Sequence, residues 1–129
     1  MASIAGMAVD PTGQSLKQLL ADDEGGPVVM LNLLRYAEGG KADYAAYSKK
    51  VGEEILPRFG AELVYYGTGS TALVAEDGQA WDAVLLVRYP SRQAFSDMVR
   101  DPGYHAGAHL RTEALSEAVL QATVPWADS

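Results

Sequence analysis

Between Val28 and Leu34 the chain reads Val-Val-Met-Leu-Asn-Leu-Leu, an apolar run broken by a single amide. A run of this length, β-branched at its start, predicts a strand buried on both faces. Val84-Leu85-Leu86-Val87 repeats the pattern at the centre of a strand expected from Trp81 to Tyr89, and Pro90-Ser91 punctuates it. Other stretches carry a helical period. From Ala42, after a Gly39-Gly40 loop, Tyr44, Tyr47, Val51, Ile55 and Phe59 mark one face. Lys49, Lys50, Glu53 and Glu54 lie mostly off that stripe, and Pro57 and Gly60 end the helix. Leu16, Leu19 and Leu20 predict a short helix within Pro11 to Asp23, which Glu24-Gly25-Gly26-Pro27 breaks. Ala94, Phe95, Met98 and Val99 predict another with Ser91 as N-cap. Asp101-Pro102 opens a further helix over Gly103 to Leu115, with a weak point at Gly107.

Glu62 to Tyr66 and Thr71 to Ala75 have strand composition around the turn Gly67-Thr68-Gly69-Ser70, as a hairpin or one bulged long strand. Asp77-Gly78 turns again, and Glu117 to Val124 is the last strand, closed by Pro125. After the N-terminal helix the order is therefore β-α-β-β-α-β. This is the ferredoxin-like α+β arrangement, with helices over one face of an antiparallel sheet. The expected layout is an N-terminal extension over residues 1–26, one domain over 27–125 and a tail over 126–129. Helices cover only one face of such a sheet, yet two strands are apolar on both. A symmetric second copy is the simplest cover, so a homodimer is expected.

Composition narrows the chemistry. The 129 residues are 48% hydrophobic, enough for one packed core. They include no cysteine, which excludes a disulfide framework, a thiolate nucleophile, a cysteine-ligated iron-sulfur cluster and a cysteine zinc site. Ten Lys and Arg against seventeen Asp and Glu give a net charge of −7, which repels phosphate backbones and anionic lipid. Neither nucleic acid nor membrane is expected as a partner. No apolar run approaches the roughly 18 residues of a membrane span. Met1 to Asp10 holds no Lys or Arg and so lacks the charged region of a signal peptide; a soluble, cytoplasmic protein is expected. Gly67 to Thr71 superficially suggests a phosphate loop, but a strand rather than a helix follows it and no Gly-Lys-Ser/Thr completes it.

Trp81-Asp82, Leu85 to Arg92 with its Tyr89-Pro90-Ser91-Arg92, Ala94-Phe95, Met98, Asp101-Pro102, Tyr104, His109 and Arg111-Thr112 form a connected set. Together with Val28 to Arg35 they resemble the domain-of-unknown-function family thirteen-thirty, a branch of the dimeric α+β barrel superfamily, over roughly residues 27–124. The resemblance implies a ferredoxin-like homodimer. It transfers no single activity, because that superfamily spans cofactor-free monooxygenases, cyclases, isomerases, haem-dependent enzymes and ligand-binding modules.

Asn32 is one candidate site residue: a buried amide must be satisfied or cost about 1 to 3 kcal/mol per orphaned group. It either donates to a substrate carbonyl or enolate, or anchors an interface or loop. By strand parity it shares a face with Val28 and Met30, opposite Arg35. His109 suits a general acid or base and Arg111 a carboxylate clamp, a pair that also fits the resembling family's pattern. The alternative is a helix-end histidine and a structural ion pair. His105, His109 and Glu113 align at i, i+4 and i+8, but about 12 Å of helical rise separates the outer two, so no metal site is expected. Tyr44, Tyr66, Trp81 and Tyr104 are either core or the lining of a pocket for a flat hydrophobic or aromatic ligand. Arg88 either meets that ligand or pairs with Asp82, Glu62 or a partner acid. The leading expectation is a cofactor-independent enzyme performing isomerase, cyclase or monooxygenase-like proton transfer on a small organic, aromatic or polyketide-like molecule. His109 and Asn32 would be catalytic, and Arg88, Arg111 and the aromatics would bind substrate. The alternative is a non-catalytic small-ligand-binding or accessory protein using the same pocket.

Overall fold

The expected β-α-β-β-α-β order is present, preceded by the N-terminal helix. A computed structural model describes residues 9–126; residues 1–8 of the expected extension and 127–129 of the tail lie outside the described residues. The elements are α1 (Gly13–Ala21), β1 (Val28–Tyr36), α2 (Gly40–Lys50), β2 (Glu62–Thr68), β3 (Ala83–Tyr89), α3 (Arg92–Val99), α4 (Pro102–Ala114) and β4 (Leu115–Thr123). All strand pairs are antiparallel in the order β2-β3-β1-β4, the ferredoxin-like arrangement with α1 added. Among the described residues no helix is long and apolar enough to cross a membrane.

Local chemistry sets the helix starts. Thr12 and Ser15 form a capping box on α1: the Thr12 hydroxyl accepts from the Ser15 amide at 3.0 Å, and the Ser15 hydroxyl accepts from the Thr12 amide at 2.9 Å. The Ser91 hydroxyl accepts from the Ala94 amide at 3.0 Å, as its position before α3 predicts. The Asp101 carboxylate caps α4 through the Gly103 and Tyr104 amides and also pairs with Arg58 at 2.7 Å. The second helix continues past α2 as a π turn over Val51–Ile55 and a 3-10 turn over Leu56–Phe59. Gly60, at φ +70°, then ends it.

The strand alternation decides what each face meets. Val28, Met30, Asn32 and Leu34 of β1 and Ala83, Leu85, Val87 and Tyr89 of β3 are buried beneath the helices. Val29, Leu31, Leu33, Val84 and Leu86 lie on the outer face and are only half-buried. Arg35 points outward as its parity predicts and pairs with Glu117, its register partner on β4, at 2.9 Å.

Two expectations need correction. Thr71 to Ala75 is not a strand but part of a loop, in which Leu73 is 98% and Val74 96% exposed. Strand composition does not make a strand without a ladder: β2, the expected hairpin partner, pairs with β3 instead, and Thr71 to Ala75 pairs with no strand. The bulge expected in this region lies earlier, between Leu63 and Tyr65. Gly107 is not a weak point either. It is buried in an unbroken α4, where an added Cβ would lie 3.2 Å from the Lys50 side chain, which would have to give by a few tenths of an ångström.

Candidate functional site

The helices and the inner face of the sheet enclose a narrow cavity of about 60 Å³. Its floor is Met30 and Asn32 of β1 with Leu85, Val87 and Tyr89 of β3; Tyr44, Tyr47, Tyr104 and Arg111 descend from α2 and α4. The π turn places Val51 and Gly52 on the wall. A π turn inserts one residue into the helical ladder, an irregularity frequent at functional sites.

Arg111, in the last turn of α4, is only 3% exposed. One terminal nitrogen, Nη1, donates to the Val9 carbonyl and to Asp10 Oδ1, the latter at 3.0 Å. The other, Nη2, is buried and makes no close hydrogen bond among the described residues, although the guanidinium lies near enough to the Tyr44 hydroxyl to act on it as a donor. Burial works against the guanidinium charge, but Tyr47, Tyr104, Tyr44 and Asp10 outweigh it and hold the arginine above its ordinary pKa. Burial keeps the Tyr44 and Tyr47 phenols un-ionised near neutral pH, and Asp10 is the acid paired with the arginine.

The tyrosines form one connected cluster. Tyr44 packs on Tyr47 at 5.3 Å between ring centroids and edge-on to Tyr66 at 6.3 Å; the Tyr47 and Tyr104 hydroxyls share a hydrogen bond at 3.0 Å. Burial pushes the Tyr44 phenol up to about 12, against the opposing pull of Arg111. Burial likewise raises Tyr47 and Tyr89 well above the usual range. These phenols are therefore protonated at neutral pH and act as hydrogen-bond donors, not bases. Asn32, 8% exposed, donates from Nδ2 to the Met30 carbonyl at 3.3 Å.

The structure brings Asn32, Arg111, Tyr44 and Tyr104 together and sets the other expected site residues apart. His109 is exposed on α4 and does not line the cavity; His105 and Glu113 are exposed on the same helix. His109 lies two residues before Arg111 and so on another side of the helix, and α4 turns Gly107, Arg111 and Ala114 inward. Arg88 lies on the outer sheet face, in register with Val29 and Glu62. Trp81 stands beneath the Arg35 guanidinium at 4.7 Å, where it anchors the end of the loop before β3. Tyr66 supports the cavity from behind: its ring meets Tyr44 and its hydroxyl lies 3.4 Å from that of Tyr36.

Sequence reasoning missed Tyr89, Met98 and the segment Val9 to Pro11 as parts of the site. Tyr89 shares strand parity with Leu85 and Val87, a usable signal; its hydroxyl donates to the Met98 sulfur at 3.7 Å. Nothing local marks Asp10, which meets Arg111 across 101 positions of chain.

An antiparallel sheet with helices on one face, a donor-lined cavity between them and an outer apolar face define a ferredoxin-like α+β protein. The chain belongs to the family described as "Domain of unknown function (DUF1330)", whose model matches residues 36–123. The match begins at the end of β1, so Asn32 lies before it. A solved structure of RPA0582, a protein of unknown function from Rhodopseudomonas palustris, is 31% identical, with a TM-score of 0.82 over 93% of this chain and 98% of that one. A dimeric protein of unknown function and ferredoxin-like fold from Bacteroides fragilis is 10% identical, with a TM-score of 0.52 over 75% of this chain and 94% of that one. A dimeric ferredoxin-like protein of unknown function from Thermobifida fusca is 16% identical, with a TM-score of 0.53 over 78% and 92%. No curated protein matches the chain.

Proposed function

We propose that this protein binds a small organic molecule between sheet and helices, holding a carbonyl or anionic oxygen of that molecule with Arg111 and Asn32. The observation that carries this reading is the buried Arg111 nitrogen without a partner among the described residues, in a cavity lined otherwise by apolar side chains, phenols, the Asn32 amide and Ser48. An orphaned charged donor inside a protein costs stability, and a ligand oxygen would remove that cost. Apolar walls with a few convergent polar groups are the usual make-up of small-molecule sites.

Enzymatic turnover is the second reading. Arg111, Asn32 and protonated tyrosines are all donors, the set that stabilises an enolate or oxyanion. Among the described residues the cavity lining contains no histidine, aspartate or glutamate, and the neighbouring Asp10 carboxylate is held by Arg111 and Thr112, so no free proton acceptor faces the cavity. Binding is therefore the better supported of the two. We further propose that two copies pair through the outer sheet faces. The half-buried apolar residues there and the dimeric description of the two similar proteins support this.

A thermal-shift screen of small ketones, phenols and organic acids tests the binding reading. At least one class is expected to raise the unfolding temperature, and Asn32→Leu and Tyr44→Phe are expected to weaken that shift. If no compound shifts the wild type, or every shift survives both substitutions, the reading fails.

A further inference from the structure

We propose that the ligand is a carboxylate on a compact apolar body, and that Asp10 occupies its place on Arg111 until it arrives. This inference rests on the small-molecule reading above and goes on to name the ligand's head group and the chain segment that competes with it.

A carboxylate already sits where the ligand's would. Asp10 Oδ1 accepts from Arg111 Nη1 at 3.0 Å and Oδ2 accepts from the Thr112 hydroxyl at 2.9 Å. The planar guanidinium fork fits a carboxylate through two parallel donors, but here Asp10 meets only Nη1, and Nη2 is left buried without a close partner among the described residues. The internal acid thus satisfies the arginine incompletely. A free carboxylate entering from the cavity side can engage both nitrogens.

The two acids have unequal claims on water. The Asp10 side chain is 45% exposed and can return to solvent, whereas the Arg111 side chain, 4% exposed, cannot and must keep an anion. Exchange of one carboxylate for another preserves the charge balance around Arg111.

Space gives the same answer. As it stands the cavity, about 60 Å³, has room for a few waters, so binding of an organic molecule there requires it to open. A second cavity of about 230 Å³ lies alongside, lined by Val9, Asp10, Pro11, Ser15, Ala118 and Leu120. Pro11 and Leu120 line both, so the Val9 to Pro11 segment is part of the partition between them. Withdrawal of Asp10 with Pro11 would join the two into a space near the ~300 Å³ at which small-molecule sites begin.

Calorimetric titration of the full chain with benzoate, and with benzyl alcohol as its uncharged counterpart, tests the proposal in wild type, Asp10→Ala and the shape-preserving Asp10→Asn. Benzoate is expected to bind both variants at least about ten-fold tighter than wild type, because a tethered competitor acts at high effective concentration. Benzyl alcohol is expected to show no such gain, and Arg111→Met is expected to abolish benzoate binding. In wild type, amide resonances of Asp10 and Thr112 are expected to shift as benzoate is added, a readout that needs no variant. Equal benzoate affinity with and without Asp10 would overturn the competition. Binding of benzyl alcohol but not benzoate would overturn the carboxylate while sparing the cavity reading. Binding of neither compound to folded protein would overturn both.

Discussion

Two buried polar side chains, Asn32 and Ser96, meet the cost of burial differently. Ser96 is fully buried on α3 and its hydroxyl has no partner among the described residues. Removing an unsatisfied hydroxyl removes its desolvation penalty, so Ser96→Ala is expected to raise stability by up to about 1 kcal/mol, read as a higher urea midpoint at unchanged slope. Asn32 keeps one hydrogen bond and also borders the cavity. Asn32→Leu is expected to leave the urea midpoint unchanged or higher while ligand binding is weakened, as for a side chain retained for function at some cost in stability. A fall of more than about 2 kcal/mol would make the amide structural instead. The tyrosines set an alkaline limit. Tyr44 is raised from 10 to about 12 in the folded chain, so between those values the native state holds a proton that the unfolded state has released. Its contribution, about 3 kcal/mol, is complete below pH 10 and is lost as pH rises toward 12. Phenolate absorbance from Tyr44, Tyr47 and Tyr89 is therefore expected to appear together with unfolding, and its appearance in the folded state at pH 10 would contradict their burial. At this scale Asn32 was legible because one polar letter stood in an apolar run and parity gave its side. Asp10 was not, because only the tertiary fold brings it to Arg111.

The second helix and α4 hold the site at the scale of elements. Gly40, the first residue of α2, lies so close to the end of α4 that an added Cβ would fall 2.1 Å from the Ala114 carbonyl oxygen. Backbone, not a movable side chain, would have to yield. Gly40→Ala is expected to cost about 2 kcal/mol or more, measurable as a lowered denaturation midpoint. Most element positions could be read from periodicity because large apolar residues mark the buried faces of β1, α2 and α3. The buried face of α4 carries Gly107, Arg111 and Ala114, two small residues and a charge. That face is invisible to a hydrophobic period, so spacing could not show that Arg111 turns inward and His109 outward. The π turn of the second helix was equally hidden, since Val51 and Ile55 keep ordinary i, i+4 spacing.

The whole chain leaves its outer sheet face without a cover among the described residues. Leu31 and Leu86 are register partners at its centre, with Val29, Leu33 and Val84 around them. Sedimentation is expected to give twice the mass of the chain, and Leu31→Lys is expected to give the single-chain mass with the fold retained. A wild-type monomer would refute the pairing. This expectation came directly from runs apolar on both faces. The loop between β2 and β3 shows the opposite case, where composition suggested a strand that joins no ladder although the outer edge of β2 is free. β1 is bonded on both sides, to β3 and to β4, whereas the Val9 to Pro11 segment meets Arg111 through one carbonyl and one carboxylate. In deuterium exchange the amides of Met30 to Leu33 should therefore be among the last to label, and that of Asp10 among the first. Such a gradient would give bound molecules a fixed floor and a releasable rim, so that their residence time would be set at the rim.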